Sequence, residues 1–592
     1  MNEPAADRTR GAAGPPASRH GRLARFVPIT GWAPRYPRGK WRGDVTAGLT
    51  VAVMLIPQGM AYASLAGMPP ISGLYAAIVG IAVYAVLGTS GSLAVGPVAI
   101  TSLMTIEGVS RVVEPGDPSY PATVALLALV TGMILVVLGL ARLGVLVNLL
   151  SHPVISGFTS AAAIVIALSQ VKDLLGLDIG RPAGTIATVR ALVDNLGGTN
   201  AATIVLAAAA LTALAAGRRY ARRWPTALIV VTLATLMAWL FELGEHGVTV
   251  LGDVPSGFPS PTLPEMSTGL LTGLVPVAAT IAVVAFAEGV SVATAIARKT
   301  RDTIDANQEL IAAGAANAAA GVFSGFPIAG GFSRTAVNHE AGARTPLASL
   351  VTAAVLMVAV LWMTPLFVHL PKAVLAAIVV VAVLTLVDVT DARHTFAVSR
   401  ADGATLALTF LVTLLVGIEP GLVAGVGFSL AAFVWRNATP HTTELGRVAG
   451  TTEYRNVNRW PTHTTPEAVV VRTDGPLFFA NSRRLGDHVQ RLVASRAGVR
   501  SVVLDASAIT DIDATGIHAL ADLDRDLATA GVTLHLATVR GPVRDSLRRG
   551  GTWDDLADRV HPSLAAACTA IAPESVLCGP RPGESTVDTR VV

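Results

Sequence analysis

Charge is scarce in this chain: 14% of its 592 residues are Asp, Glu, Lys or Arg, where an ordinary soluble protein carries about a quarter. A surface that poor in charge argues against a soluble enzyme of this length. Cysteine is scarcer. Cys568 and Cys578 match no zinc or redox spacing and give no disulfide framework. The first 43 residues lack the apolar core of a secretory signal and hold nine Lys or Arg against two acidic residues. They read as a disordered basic lead-in, suited to setting orientation and meeting anionic lipid rather than nucleic acid.

Apolar residues are abundant instead, at 52% of the chain, and mean hydropathy is +0.58. They concentrate between residues 45 and 435 in long uncharged runs. A helix needs about 20 mostly apolar residues to cross a bilayer. Fourteen candidate spans fit, several too short to cross alone, including 94–110, 271–297, 332–343 and 372–388. Loop charge tests the count independently, because cytoplasmic loops are enriched in Lys and Arg. Arg218, Arg219, Arg222 and Arg223 follow the sixth span, and Arg298, Lys299 and Arg301 the eighth. The loop 242–270 contains four acidic residues and no Lys or Arg. Both termini are therefore expected in the cytoplasm, and the membrane is expected to be the inner (plasma) membrane.

Seven spans precede that acidic loop and seven follow it. An odd number per half forces the second half to insert upside down, and inverted repeats with short Gly/Pro-interrupted helices mark transporters. The third span of each half fits. One opens at Gly96, Pro97, Val98 and Ala99, the other at Gly330, Gly331, Phe332, Ser333 and Arg334. A helix N-terminus presents unpaired N–H groups and partial positive charge, so two of them aimed at one point attract an anion. Pro97 suits a first helical position, Ser333 offers a hydroxyl and Arg334 a full charge. The plainer alternative is that these glycines only permit close helix packing.

Glu288 lies ten residues before Arg298, about 15 Å deep at 1.5 Å per residue. An ionised carboxylate there costs roughly 3 kcal/mol or more, so it needs a cavity or a partner. It either balances Arg334 or binds a coupling proton; the two roles are compatible. Gln58 and Tyr62 share a helix face and are candidates to complete the site, Tyr62 equally as a packing residue. His152 reads as a helix-end residue. No cofactor and no metal are implied.

From residue 467 to 570 the pattern changes to short strands at 469–472, 502–505 and 533–537, with a helix over 515–527 between the last two. This is a small α/β domain without a nucleophile–base pair or phosphate-binding loop. Residues 436–466 read as a linker and 571–592 as a disordered tail.

Several stretches resemble the sulfate permease (SulP) family: Ala52 to Ala63, Pro70 to Ala77, Gly88 to Gly91, Ser151 to Phe158, Asn307 to Leu310 and Gly330 to Asn338. Ser72 and Gly91 depart from its signature, which usually has Tyr and a basic residue there. The run Leu504 to Gly516 resembles the STAS domain. The resemblance implies an α-helical polytopic membrane protein with 14 transmembrane segments as 7+7 inverted repeats (about 44–241 and 271–435), core and gate subdomains, and a small cytosolic α/β STAS domain. It implies an elevator-like secondary transporter of a small anion, held between the third and tenth spans. Sulfate is the first expectation, with bicarbonate or a dicarboxylate as the alternative. Glu288 falls at the family's acidic position, where Glu goes with proton symport or anion exchange and Asp with sodium coupling. A homodimer is also implied. Thr515 stands where related domains carry a phosphorylated hydroxyl, although plain helix capping by Asp513 and Thr515 is the preferred reading. An anion channel, or a signalling protein with the STAS domain as its output, are the rival classes. Mid-membrane charge argues against a pure anchor.

Overall fold

The computed structural model describes residues 26–145, 151–180, 184–220, 225–252, 255–258, 260–449, 451–464 and 466–571. The expected tail, past Ile571, and the first 25 residues of the basic segment lie outside them. The described residues form two compact units, divided between Ser429 and Leu430.

The first unit is helical. Residues 26–40 form short helical turns rather than a featureless lead-in, and the Tyr36 hydroxyl donates to Asp44 at 2.8 Å. Then come α1 (Trp41–Leu65), α2 (Ile71–Leu87), strand β1 (Val95–Gly96), α3 (Ala99–Val109), α4 (Tyr120–Leu140), α5 (His152–Leu175), α6 (Thr185–Asp194), α7 (Ala201–Tyr220) and α8 (Thr226–Leu240). The same order follows again: α9 (Thr268–Thr300), α10 (Ala306–Val322), strand β2 (Ala329–Gly330), α11 (Phe332–Glu340), α12 (Leu347–Trp362), α13 (Lys372–Val383), α14 (Val389–Val398), α15 (Arg400–Leu415) and α16 (Ile418–Ala438). Long apolar runs make the spans, two of which, α1 and α9, continue through an internal proline (Pro57 and Pro276), and among the described residues seven helical segments are long and apolar enough to cross a membrane. The short helices α6 and α14 were not expected from the sequence. Each lies between the fifth and sixth spans of its half.

The helices sort into two bundles. In one, α1, α2, α4, α9, α10 and α12 pack together; in the other, α5, α7, α13 and α15 do. Small residues let the first bundle close tightly. A Cβ on Gly132 of α4 would stand 2.4 Å from the Ala318 nitrogen of α10, so these backbones touch. Contacts of α3 with α5 and of α1 with α13 join the bundles.

The second unit holds a six-stranded sheet in the order β4–β3–β5–β6–β7–β8. Its strands are β3 (Thr442–Arg447), β4 (Tyr454–Asn456), β5 (Ala468–Thr473), β6 (Ser501–Asp505), β7 (Thr533–Ala537) and β8 (Val560–His561), with helices α17 (Ser482–Ala494), α18 (Ala514–Thr529), α19 (Gly541–Arg549) and α20 (Leu564–Ile571). β5 to β8 run parallel, while β3 pairs antiparallel with β4 and β5. Residues 436–466, read as a linker, thus supply two strands. β3 joins them to the sheet by pairing with β5, a contact no local pattern reveals. Alternation splits β5: Val469 and Val471 pack with α17 and α18, and Ala468 and Val470 with α20.

Candidate functional site

Two backbone breaks build the site. The chain stays extended through Val98 (φ −134°, ψ 152°), so α3 begins at Ala99. Pro97 is therefore not the first helical residue. Gly96, at φ +152°, holds a conformation that side-chain-bearing residues rarely adopt and turns the chain out of β1. On the other half Gly331 caps α11. Neither helix has a side-chain cap. The earliest bonds onto these caps are Ser102 N–H to the Val98 carbonyl (3.1 Å) and Thr335 N–H to the Gly331 carbonyl (3.0 Å). The first-turn N–H groups ahead of them have no acceptor within the helix.

A two-strand antiparallel ladder holds these two termini together, with Val95 opposite Gly330 and Gly96 opposite Ala329. Each half-helix also grips the chain before the other. Thr335 Oγ1 accepts from the Ala94 N–H (3.0 Å), and Thr101 Oγ1 donates to the Pro327 carbonyl (3.1 Å). Asn317 of α10 clamps the approach to β2: its Oδ1 accepts from the Ile328 N–H (2.8 Å) and its Nδ2 donates to the Ile328 carbonyl (3.0 Å). Asn338 donates to the Ser92 carbonyl at 2.9 Å.

Arg334 lies between the two breaks, 3% exposed. Its Nη1 donates to the Pro97 carbonyl at 2.5 Å, while Nε and Nη2 are buried without a hydrogen-bond partner. Glycine makes the space. A Cβ on Gly331 would stand 2.9 Å from Nη2, and one on Gly96 3.5 Å from it. Glu288 on α9 is half-buried, and its Oε2 is buried and unpartnered. No salt bridge joins it to Arg334 among the described residues, although the two opposite charges are near enough to feel one another. The next residue, Gly289, brings α9 against β2: a Cβ on Gly330 would stand 2.9 Å from the Gly289 Cα. Leaving buried donors unsatisfied costs about 1–3 kcal/mol each, more for charged groups.

The remaining expected residues fall as follows. Val98 and Ala99 are buried in the break, and Tyr62 is buried on α1. Gln58, one turn earlier, is half-buried, and Leu55 of the same helix approaches Gly96. Phe332 and Ser333 are exposed. In the second unit Asp513 alone caps α18, its Oδ1 accepting from Gly516 N–H at 2.7 Å and its Oδ2 from Phe479 N–H at 3.0 Å. Thr515 is exposed at the second helical position. Asn317, Thr101 and Thr335 were missed. The signal for Asn317 is present: it is the lone amide in the Ala/Gly run 312–321.

The sulfate permease family model matches residues 41–409, and the STAS domain model matches residues 459–567. The chain belongs to the sulfate permease family. Among relatives, this permease is 36% identical over 529 residues to the chloroplastic sulfate transporter 4.1 of Arabidopsis thaliana, covering 86% of this chain and 76% of that one. It is 35% identical over 549 residues to a probable sulfate transporter of Mycobacterium tuberculosis, covering 91% and 98%. The fold matches murine Solute Carrier 26 family member A9, an anion transporter, with a TM-score of 0.89 at 24% identity over 97% and 100% of the two chains. It also matches the transmembrane domain of the cyanobacterial bicarbonate transporter BicA, with a TM-score of 0.58 at 25% identity over 66% and 98%.

Proposed function

We propose that this permease is a secondary active transporter of sulfate, binding the anion between the N-termini of α3 and α11 and coupling it to protons through Glu288. The observation that carries the reading is Arg334: a buried guanidinium with two unpartnered nitrogens beside two uncapped helix ends. Gly96, Pro97, Val98, Ala99, Gly331, Phe332, Ser333 and Arg334 form the binding turns, with Gln58 and Tyr62 on the α1 side.

Glu288 supplies the coupling logic. Ionised, it offsets the field of Arg334 and weakens anion binding. Protonated, it leaves the guanidinium's charge to the anion. Each ligand then favours the other, as thermodynamic linkage requires, and coupling of this kind is typically about 1–3 kcal/mol. Proton and anion cross together, or one anion exchanges for another. Two bundles joined by few contacts suit an elevator-like motion of the α3/α11 bundle against the α5/α15 bundle. The likeness to a bicarbonate transporter supports bicarbonate as the second substrate reading.

The test is uptake of labelled sulfate into proteoliposomes under an inward proton gradient, with bicarbonate and fumarate as competitors. Wild type should accumulate sulfate, and Glu288→Gln should abolish gradient-driven accumulation while retaining sulfate binding. Transport of a competitor with sulfate ignored would overturn the substrate; undiminished accumulation by Glu288→Gln would overturn the coupling role.

A further inference from the structure

The helix α6 divides into three sectors at about 100° per residue. Thr188, Ala191 and Leu192 face the protein, with Leu192 7% exposed. Ile186, Val189 and Val193 form a second sector and are 69%, 44% and 60% exposed. Arg190 and Asp194, paired at 3.7 Å, occupy the third. A helix in water has no reason to keep an apolar stripe between its packed and charged sides, whereas a helix lying in a membrane interface needs all three.

Its level in the fold agrees. Thr185 Oγ1 donates to the Leu414 carbonyl, at the C-terminal end of the apolar α15, where Leu411, Leu415 and Val416 are also exposed. The stripe therefore begins where the apolar flank of a span ends. The second half places a helix at the same point of its order, without the same separation of faces. α14 holds the equivalent place between its fifth and sixth spans and exposes Val389 and Phe396, seven residues apart and so on one side, next to exposed Arg393. It is tied to α5 by Ser156 Oγ, which donates to Asp391 Oδ2 at 2.7 Å.

We propose that α6 is an interfacial anchor whose Ile186–Val189–Val193 stripe lies among lipid acyl chains at the bilayer boundary, with α14 its counterpart at the opposite surface. Both anchors hang on the α5/α15 bundle. They hold that bundle at a fixed depth, leaving the other free to move. A second copy of the chain is the poorer occupant: three aliphatic side chains fall far below the roughly 800 Å² per partner of a stable interface. The inference does not rest on the substrate or the coupling ion.

The test uses full-length protein in phosphatidylcholine–phosphatidylglycerol liposomes, with Cys568→Ala and Cys578→Ala leaving no native thiol. Single cysteines at 186, 189, 190, 193 and 194 carry an environment-sensitive fluorophore. Labels at 186, 189 and 193 should emit blue-shifted, be quenched by nitroxide on shallow acyl carbons and resist iodide. Labels at 190 and 194 should show the reverse. Equal iodide quenching at all five positions overturns the proposal. Protection of the stripe from both quenchers also overturns it, in favour of a covering protein. Hydroxyl-radical footprinting of the unsubstituted chain in nanodiscs gives the same decision if a cysteine variant misfolds: Ile186, Val189 and Val193 modified as readily, relative to their intrinsic reactivity, as exposed aliphatic residues of the STAS domain would reject the anchor.

Discussion

Arg334 gathers most of the site's chemistry into one side chain. Hydrogen bonds to charged groups contribute about 1.5–3 kcal/mol each, so losing them should weaken sulfate affinity roughly 10- to 100-fold. Arg334→Gln is expected to do this, read from the concentration dependence of uptake; an unchanged half-saturation would make the residue a purely structural tie to Pro97. Gly331→Ala tests the same point more gently. Its new methyl meets the far end of a flexible side chain 2.9 Å away, so the guanidinium shifts while the fold survives. Affinity should fall with little loss of thermal stability, and a variant that binds sulfate normally would show that the placement of Arg334 is loose. Both residues stood out in the sequence, because charge and glycine doublets are rare inside apolar spans. Thr101 and Thr335 did not. A threonine in an apolar helix commonly bonds its own helix, and only the paired strands reveal that these two reach across.

Elements were legible in proportion to how locally they are determined. The long spans follow from hydropathy alone, and three central strands of the STAS domain from their short apolar runs, valine-rich in β5 and β6 and alternating in β7. β1 and β2 have two residues each, too few for a period, and exist because each is the other's partner. Asn317 is the brace of that pair. Asn317→Ala should remove three hydrogen bonds, two of them buried, and destabilise the first unit by about 2–4 kcal/mol, with transport lost; unaltered melting would show the ladder to be self-sufficient. A second contact tests motion between elements. Arg111, just past α3, pairs with Glu419 at the start of α16 at 2.5 Å, and α16 packs on α15 through Gly421 and Gly425. If the α3 bundle travels against the α5/α15 bundle, this pair must part. Cysteines at 111 and 419, in a chain lacking Cys568 and Cys578 and joined by a short bifunctional reagent, should stop transport, and a cleavable reagent should restore it. Full transport by a verified cross-linked protein would contradict the motion.

For the molecule as a whole, two units of different physics share one chain: a bundle matched to lipid and a sheet matched to water. Their stabilities should answer differently to pH. In the STAS domain His535 and His561 lie on adjacent strands with ring nitrogens 3.2 Å apart, beside the Arg559–Asp524 pair. Burial, then the neighbouring His561 and Arg559, hold the His535 imidazole below its ordinary value, with Asp524 opposing. His488 is shifted the same way, by burial first and then by Arg491, and its Nε2 is buried without a partner. A histidine lowered on folding binds its proton more readily in the unfolded chain. Its stabilisation is therefore complete above the ordinary histidine pKa of about 6.5 and is lost as pH falls below it. The STAS domain of the full-length permease should melt at progressively lower temperature from about pH 7 to about pH 5, and His535→Gln should flatten part of that slope. The shared hydrogen bond sharpens the expectation: it needs at least one neutral ring, so protonating both replaces an attraction with a repulsion at contact distance. A melting temperature that holds constant through the same range would mean that the pair is already relaxed in the folded state, and that burial at β7 costs the charged imidazole nothing.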